Sequence, residues 1–226
     1  EDFNRKDLAA RYLERDWNTL YPIASYEQST ADDTRYEQPF GNDGHPTFPV
    51  RTSDLFKKNG YGVIRNTPFG NTLTLDMAKA ALDNEQLGQG EYTDFLAVSL
   101  SSTDYVGHQF GVNAIETEDV YLRLDKDLEK FMLYLDEKIG CGNYTLFLTA
   151  DHAAAHNVRF LEDHRIPSGA WASDKMQEAL DSLVYVRFGV KDAIRGMENY
   201  QVHLASDKLS VGNLDKEQVK ACIIRF

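Results

Sequence analysis

The spacing of apolar residues changes character along the chain. From Asn4 to Glu14 they recur at helical intervals, with Leu8, Tyr12 and Leu13 directed inward and Asn4 placed to cap the first turn. From Trp17 to about Phe69 no period holds. Five of the six prolines fall there (Pro22, Pro39, Pro46, Pro49 and Pro68), and Gly41-Asn42-Asp43-Gly44 is a turn signal. The segment is also dense in Tyr and Phe, which predicts an ordered cover rather than a linker. Such a loop serves either as a lid or specificity element or as plain surface packing.

Regularity then returns. Leu75 to Gln86 reads as a helix with Thr74 as its cap, and Asp94 to Ser101 (DFLAVSLS) as a strand buried on both faces. Glu116 to Ile139 carries Tyr121, Leu124, Leu128, Phe131 and Leu135 on one stripe, acids at its start and Gly140 beyond its end, the marks of a long helix. Tyr144 to Ala150 (YTLFLTA) reads as a second buried strand. Beyond a loop, Asp174 to Leu180 is expected as helix, Leu183 to Phe188 as strand, and Tyr200 to Leu204 as a weaker strand. Asp215 is expected to cap a last helix through Val219, Cys222 and Ile223.

Alternating helix and strand predicts an α/β fold, a mostly parallel sheet flanked by helices with right-handed crossovers. The expected layout is a helix plus loop-rich cover over 1–70, an α/β core over 71–160, and a small α/β portion extending the same domain over 161–226. The first two apolar runs each end in a polar cluster. One is Ser-Ser-Thr-Asp-Tyr-Val-Gly-His, with Asp104 and His108; the other is Thr-Ala-Asp-His-Ala-Ala-Ala-His, with Asp151 and His152. Ligands of open parallel sheets bind outside the strand carboxyl ends, so the clusters are expected to meet. Carboxylate oxygen and neutral imidazole nitrogen are ordinary zinc ligands. Either motif alone is weak, since Asp-x-x-x-His recurs by chance and an Asp-His pair can be a helix cap beside a surface histidine. Their joint placement after two buried runs with one crossover helix between them is what points to metal.

Charge sharpens this. The 226 residues carry 36 acids against 24 bases, a net −12, which disfavours nucleic acid or an anionic membrane as a partner. It would also repel an anionic substrate unless bound metal supplies local positive charge. No apolar stretch is long enough to span a membrane. Cys141 and Cys222 are too few for a disulfide scaffold and are expected as buried thiols. Glu1-Asp2-Phe3-Asn4 is neither an initiator methionine nor a signal peptide, so the chain is expected to be cut from a longer protein.

TDYVGH-x-FG followed by an acidic helix, then FLTADH followed by small residues, resembles the alkaline phosphatase superfamily over about Asp94 to His156. The likeness is greatest to its broad-specificity bacterial phosphomonoesterase branch, and the nucleotide pyrophosphatase/phosphodiesterase branch shares much of it. The resemblance implies two Zn2+, with Mg2+ or Mn2+ possible in one site. Asp104 and His108 would go to the first ion, and Asp151 and His152 to the second. Ala153 stands where the family commonly has Gly. The resemblance also implies small phosphate esters as substrates, a periplasmic or secreted protein, and a nucleophilic Thr or Ser and further ligands outside this chain. The isolated chain is then expected to bind metal weakly and not to turn over. Ser102 and Thr103 are not expected as nucleophiles, no base being paired with them. His156 is expected as an outer partner or substitute ligand, His164 and His203 as surface or sheet residues, and His45 as a turn residue. The alternatives are a phosphodiesterase or nucleotide pyrophosphatase with the same metals, and a non-catalytic domain retaining the motifs.

Overall fold

The computed structural model describes residues 2–40, 44–170 and 172–226, so most of the turn expected at Gly41 to Gly44 lies outside the described residues. The chain divides into two compact units, Glu1–Pro167 and Ser168–Phe226.

The first unit opens with α1 (Asp2–Arg5) and α2 (Leu8–Leu13), two short helices where one was expected, because Asp7 takes φ 46 between them. After a 3-10 turn at Ile23–Ser25 come α3 (Thr52–Asn59) and a second 3-10 segment, Gly60–Asn66. Next is α4 (Phe69–Asn84), which begins earlier than its apolar stripe suggested. Pro68 sets the entry, and Thr74 is no cap: its hydroxyl donates back to Gly70 O at 2.9 Å. Then follow α5 (Ser102–Phe110), α6 (Ile115–Lys138) and α7 (Val158–Asp163). The long helix lies where it was expected and buries Leu124, Phe131 and Leu135. Tyr121 is a correction, since it is 59% exposed and the first inward turns carry Glu116, Asp119 and Val120 instead.

Two clusters form the core of this unit. Trp17, Val50, Val106, Phe110, Ala114 and Val120 pack under the N-terminal segment. Leu75, Ala78, Leu82, Phe131 and Leu135 lie between α4 and α6, with Val98, Leu100 and Tyr144 half-buried against them.

The two apolar runs, 94–101 and 144–150, carry no strand assignment, and their backbone groups pair with no strand among the described residues. The cause is visible in the first run. Val98 and Leu100 rest on the α4–α6 core, while Phe95, on the other side of a period-two pattern, is 80% exposed. Burial on both faces needs a second layer and neighbouring strands, and the described residues supply neither.

The second unit comprises α8 (Ser173–Phe188), the antiparallel hairpin β1 (Ile194–Glu198) and β2 (Gln201–Leu204), α9 (Ser206–Val211) and α10 (Lys216–Ile224). The strand expected at Leu183 to Phe188 is corrected to helix. Leu180 and Val184 are buried one turn apart while Val186 is 84% exposed, a period near four rather than two. Gly189, at φ 74, ends that helix in the left-handed region. The weaker strand at 200–204 is present as β2, and Asp215 caps α10 by accepting from Glu217 N at 3.2 Å. Leu180, Val184, Val190, Ala193, Ile194, Leu209 and Val219 form this unit's core. Cys141 is exposed and Cys222 half-buried, against the expectation of two buried thiols; Cys141 follows the helix-ending Gly140 and so lies in a surface turn.

Candidate functional site

The site begins where the first apolar run turns into α5. Gly70 at the start of α4 lies against Ser102, so close that a Cβ there would fall 2.0 Å from Ser102 Oγ. Asn71, buried in the same turn, donates to Thr103 Oγ1 at 2.9 Å. These contacts fix the first turn of α5 next to Asp104. Asp104 and His108 then stand one helical turn apart on the same face, with Asp104 Oδ1 3.3 Å from His108 Nε2.

The second run delivers His152 to the same point. Its Nε2 lies 3.6 Å from Asp104 Oδ1, and the rings of His108 and His152 are 6.4 Å apart. Asp104, His108 and His152 each present a ligand atom within 4.8 Å of the other two, and all three side chains are exposed. His152 Nδ1 contacts Ala153 O at 3.1 Å. A carbonyl only accepts, so Nδ1 carries the hydrogen and Nε2 keeps its lone pair free for a ligand on the Asp104 side. That hydrogen bond, then the charges of Asp151 and Asp104, hold His152 above its usual pKa. A metal ion would compete there with protonation of Nε2, more strongly as pH falls.

Asp151 is the predicted residue outside this trio. It is 91% exposed, with Oδ1 accepting from His152 N at 3.1 Å and Oδ2 3.8 Å from His152 Nε2. Of the remaining histidines, His156 Nδ1 meets Asn113 Oδ1 at 2.8 Å and its ring stacks on Phe160, outside the trio. His164 stacks on the other end of the same column, 4.1 Å from Phe160. His203 lies in β2, and His45 pairs with Asp33 at 2.7 Å.

The sequence reading missed how the cover is held. Asp119, fully buried on α6, accepts from Trp17 Nε1 and Leu20 N, each at 2.6 Å, from Tyr26 OH, and from Arg123 Nε at 2.6 Å. Burial and that carboxylate push the Tyr26 hydroxyl up to about 12. Farther along, Thr30 N donates to Asn113 O at 2.7 Å and Gln38 N to Gln109 O at 2.9 Å, so the cover runs along α5 and its exit. Arg35 and Tyr36 close on Asp163 of α7. An acid inside an apolar helical stripe was the available signal, for Asp119 falls between Glu116 and Val120 on the inward face.

Comparison with known proteins follows the same outline. The family model for type I phosphodiesterase / nucleotide pyrophosphatase matches residues 2–221. A relative from Myroides odoratus, described as a calcium-transporting ATPase, is 49% identical over 226 residues, covering 99% of this chain and 41% of its own length. Alkaline phosphatase PhoV of Synechococcus elongatus is 49% identical over 225 residues, covering 100% of this chain and 40% of PhoV. The crystal structure of wild-type alkaline phosphatase PafA superposes with a TM-score of 0.90 at 44% identity, over 97% of this chain and 42% of PafA. The chain thus spans about two fifths of the length of the relatives it matches.

Proposed function

The chain belongs to the type I phosphodiesterase / nucleotide pyrophosphatase family, and from that premise we propose that it is the part of a two-zinc phosphate monoester hydrolase that carries four of the metal ligands. The observation that carries the proposal is the convergence of Asp104, His108 and His152 within 4.8 Å at the ends of two apolar runs. Asp104 and His108 would hold one ion, and His152 with Asp151 the other. Asp104 Oδ1 stands between the two imidazoles, at 3.3 and 3.6 Å, so the two ions would be neighbours. One carboxylate and two imidazoles with Nε2 available are a donor set suited to zinc. When bound, such a metal pair neutralises phosphate charge and activates the oxygens that attack and leave.

The residues of this chain have defined tasks in that scheme. The Ala153 carbonyl fixes the His152 tautomer, and the Gly70–Ser102 approach fixes α5. Asp151 would turn from His152 N–H to its ion. The phosphoryl group would pass from the ester to a Thr or Ser hydroxyl outside this chain, releasing the alcohol, and water would then cleave the phospho-enzyme to free phosphate. Two ligands per ion fall short of the three that catalytic zinc sites draw from protein, so the isolated chain would bind zinc weakly and not turn over. The runs 94–101 and 144–150 would lie side by side as parallel strands, their open edges and outer faces covered by the rest of a longer protein. Small phosphate esters outside the cytoplasm are the expected substrates. No helix among the described residues is long and apolar enough to cross a membrane.

The Myroides odoratus relative, described as a calcium-transporting ATPase, would also have a phosphorus–oxygen bond as its target, there an anhydride. The description of the family model favours a second reading, in which the bond cut is a diester or pyrophosphate. Rates on p-nitrophenyl phosphate and bis-p-nitrophenyl phosphate, measured on a full-length protein containing this segment, separate the two. The monoester is expected to be the faster substrate. Asp104→Ala should lower kcat/KM by more than the roughly 10–100-fold that loss of an outer partner costs. Unchanged activity in Asp104→Ala would refute the assignment.

A further inference from the structure

A cavity of about 340 Å3 opens against His108, and nothing in the metal scheme uses it. We propose that it is the leaving-group subsite of the centre and that it accepts an uncharged flat ring carrying hydrogen-bonding substituents; the inference rests on the phosphohydrolase reading above. Position is the first argument. The imidazole that belongs to the converging trio also lines the cavity, so an ester whose phosphoryl group sits at the trio has its alcohol portion within reach of the cavity.

The walls are the second argument. Phe40 and Tyr105 supply ring surfaces. Phe40 is braced edge-on against buried Phe110, with ring centres 5.6 Å apart, and the Arg65 guanidinium lies 5.1 Å from the centre of the Tyr105 ring. Rings fixed in this way are platforms for stacking. Between them lie amides. Asn66 Nδ2 donates to Gln109 Oε1 at 2.8 Å, and Gln109 Nε2 donates to Gln38 O at 3.2 Å. That chain of bonds fixes the floor through the Gln38 carbonyl, and Gln38 is an exposed lining residue whose side-chain amide can bond a guest.

Charge is the third argument. Among the described residues no carboxylate, lysine or arginine lines the cavity, the Arg65 guanidinium lying beside it at the Tyr105 ring, although the chain as a whole carries a net −12. A cationic alcohol finds no counter-charge among the described lining residues. An uncharged ring with polar substituents satisfies both the aromatic walls and the amides. The division of labour between elements follows: α5 supplies Tyr105, His108 and Gln109, while Gln38, Phe40 and Asn66 come from the irregular N-terminal stretch. On this account that stretch is a specificity element and not mere surface packing.

The test uses a full-length, zinc-loaded protein containing this segment. The readout is the ratio of kcat/KM for 4-carbamoylbenzyl phosphate to that for methyl phosphate, both esters of simple alcohols. Tyr105→Ala is expected to lower this ratio about tenfold, the scale of one lost aromatic contact. Tyr105→Phe, which keeps the ring, should hold it. Should Tyr105→Ala fail to fold, Gln38→Leu decides, because it should lower the ratio of carbamoylbenzyl to benzyl phosphate about fivefold, the worth of one hydrogen bond. Hydrolysis of both esters with ratios unmoved by either substitution overturns this inference alone. Hydrolysis of neither ester by the unaltered protein overturns the phosphohydrolase reading and this inference with it.

Discussion

Residues 17–69 and the two apolar runs at 94–101 and 144–150 meet the same demand, to satisfy backbone groups and shelter aromatic side chains, with opposite outcomes. The first region has only short helices, yet Trp17, Tyr26 and Val50 are buried. Its polar groups close on Asp119, Asn113 and Gln109, all within reach in this chain. The second pair is the most strand-like sequence in the protein, yet Phe95, Phe147 and Leu148 are 80%, 72% and 67% exposed. A cover can be completed by a few side chains from two helices. A buried strand cannot, because it needs hydrogen-bonded neighbours along both edges and apolar layers on both faces. Regular pattern states what a segment requires, and only the surrounding chain decides whether the requirement is met.

The sharpest way to break this contrast is at Asp119. Asp119→Ala leaves Trp17 Nε1, Leu20 N and Tyr26 OH without their shared acceptor and Arg123 without its partner. It should cost roughly 3–5 kcal/mol, the range for breaking a buried charged pair. Chemical denaturation would show the loss, and amide exchange should quicken first at residues 17–26. Stability unchanged within about 0.5 kcal/mol would mean that apolar contacts alone hold the cover.

A smaller effect follows from pH. Glu116 is 1% exposed, and burial followed by the charges of Glu37, Asp32 and Asp119 pushes its carboxyl up to about 8. The folded state therefore holds this proton more tightly than the unfolded state. Its contribution to stability is complete below about 4.5 and is lost as pH rises toward 8. Glu37 and Asp32 are displaced in the same direction, chiefly by burial. Glu116→Gln should stabilise the chain at pH 9 by about 2–4 kcal/mol and flatten, without abolishing, the decline between pH 5 and 9. Thermal melts across that range are the check. An unaltered slope would place Glu116 in a wetter setting than its burial indicates.

The smallest effect belongs to the uncovered runs. Phe147→Ser should change the stability of the 226-residue chain by less than about 0.5 kcal/mol, as for any exposed site. In a full-length protein where the run is covered, the same change should cost roughly 3 kcal/mol. Equal effects in both settings would remove the reason to regard the run as a strand awaiting its sheet.

Much of this could be read in advance from periodicity. Leu124, Phe131 and Leu135 on α6 and the cap of α10 lie where the pattern put them, because both helices bury these faces against elements inside the chain. Leu183 to Phe188 is ambiguous in sequence, since a short apolar run with Val-Tyr-Val suits a strand while Leu180 and Val184 suit a helix, and only burial decides between them. The early start of α4 was hidden by Gly70-Asn71-Thr72, which reads as loop until Gly70 is seen against Ser102. At the site, the meeting of Asp104, His108 and His152 was legible from two clusters after two apolar runs. Asp151 stands beside His152 but outside the trio, with one oxygen accepting from His152 N–H. Asp119 could be flagged as an acid on the inward face of α6, but its donors could not, because they come from a distant irregular segment.

Metal stoichiometry tests most directly whether the side chains that follow the two apolar runs hold two metal ions. Elemental analysis of a full-length protein containing this segment, after exhaustive dialysis, should give two zinc ions per chain. Asp104→Ala and His152→Ala should each give one or fewer. Two ions retained in both variants would contradict the account.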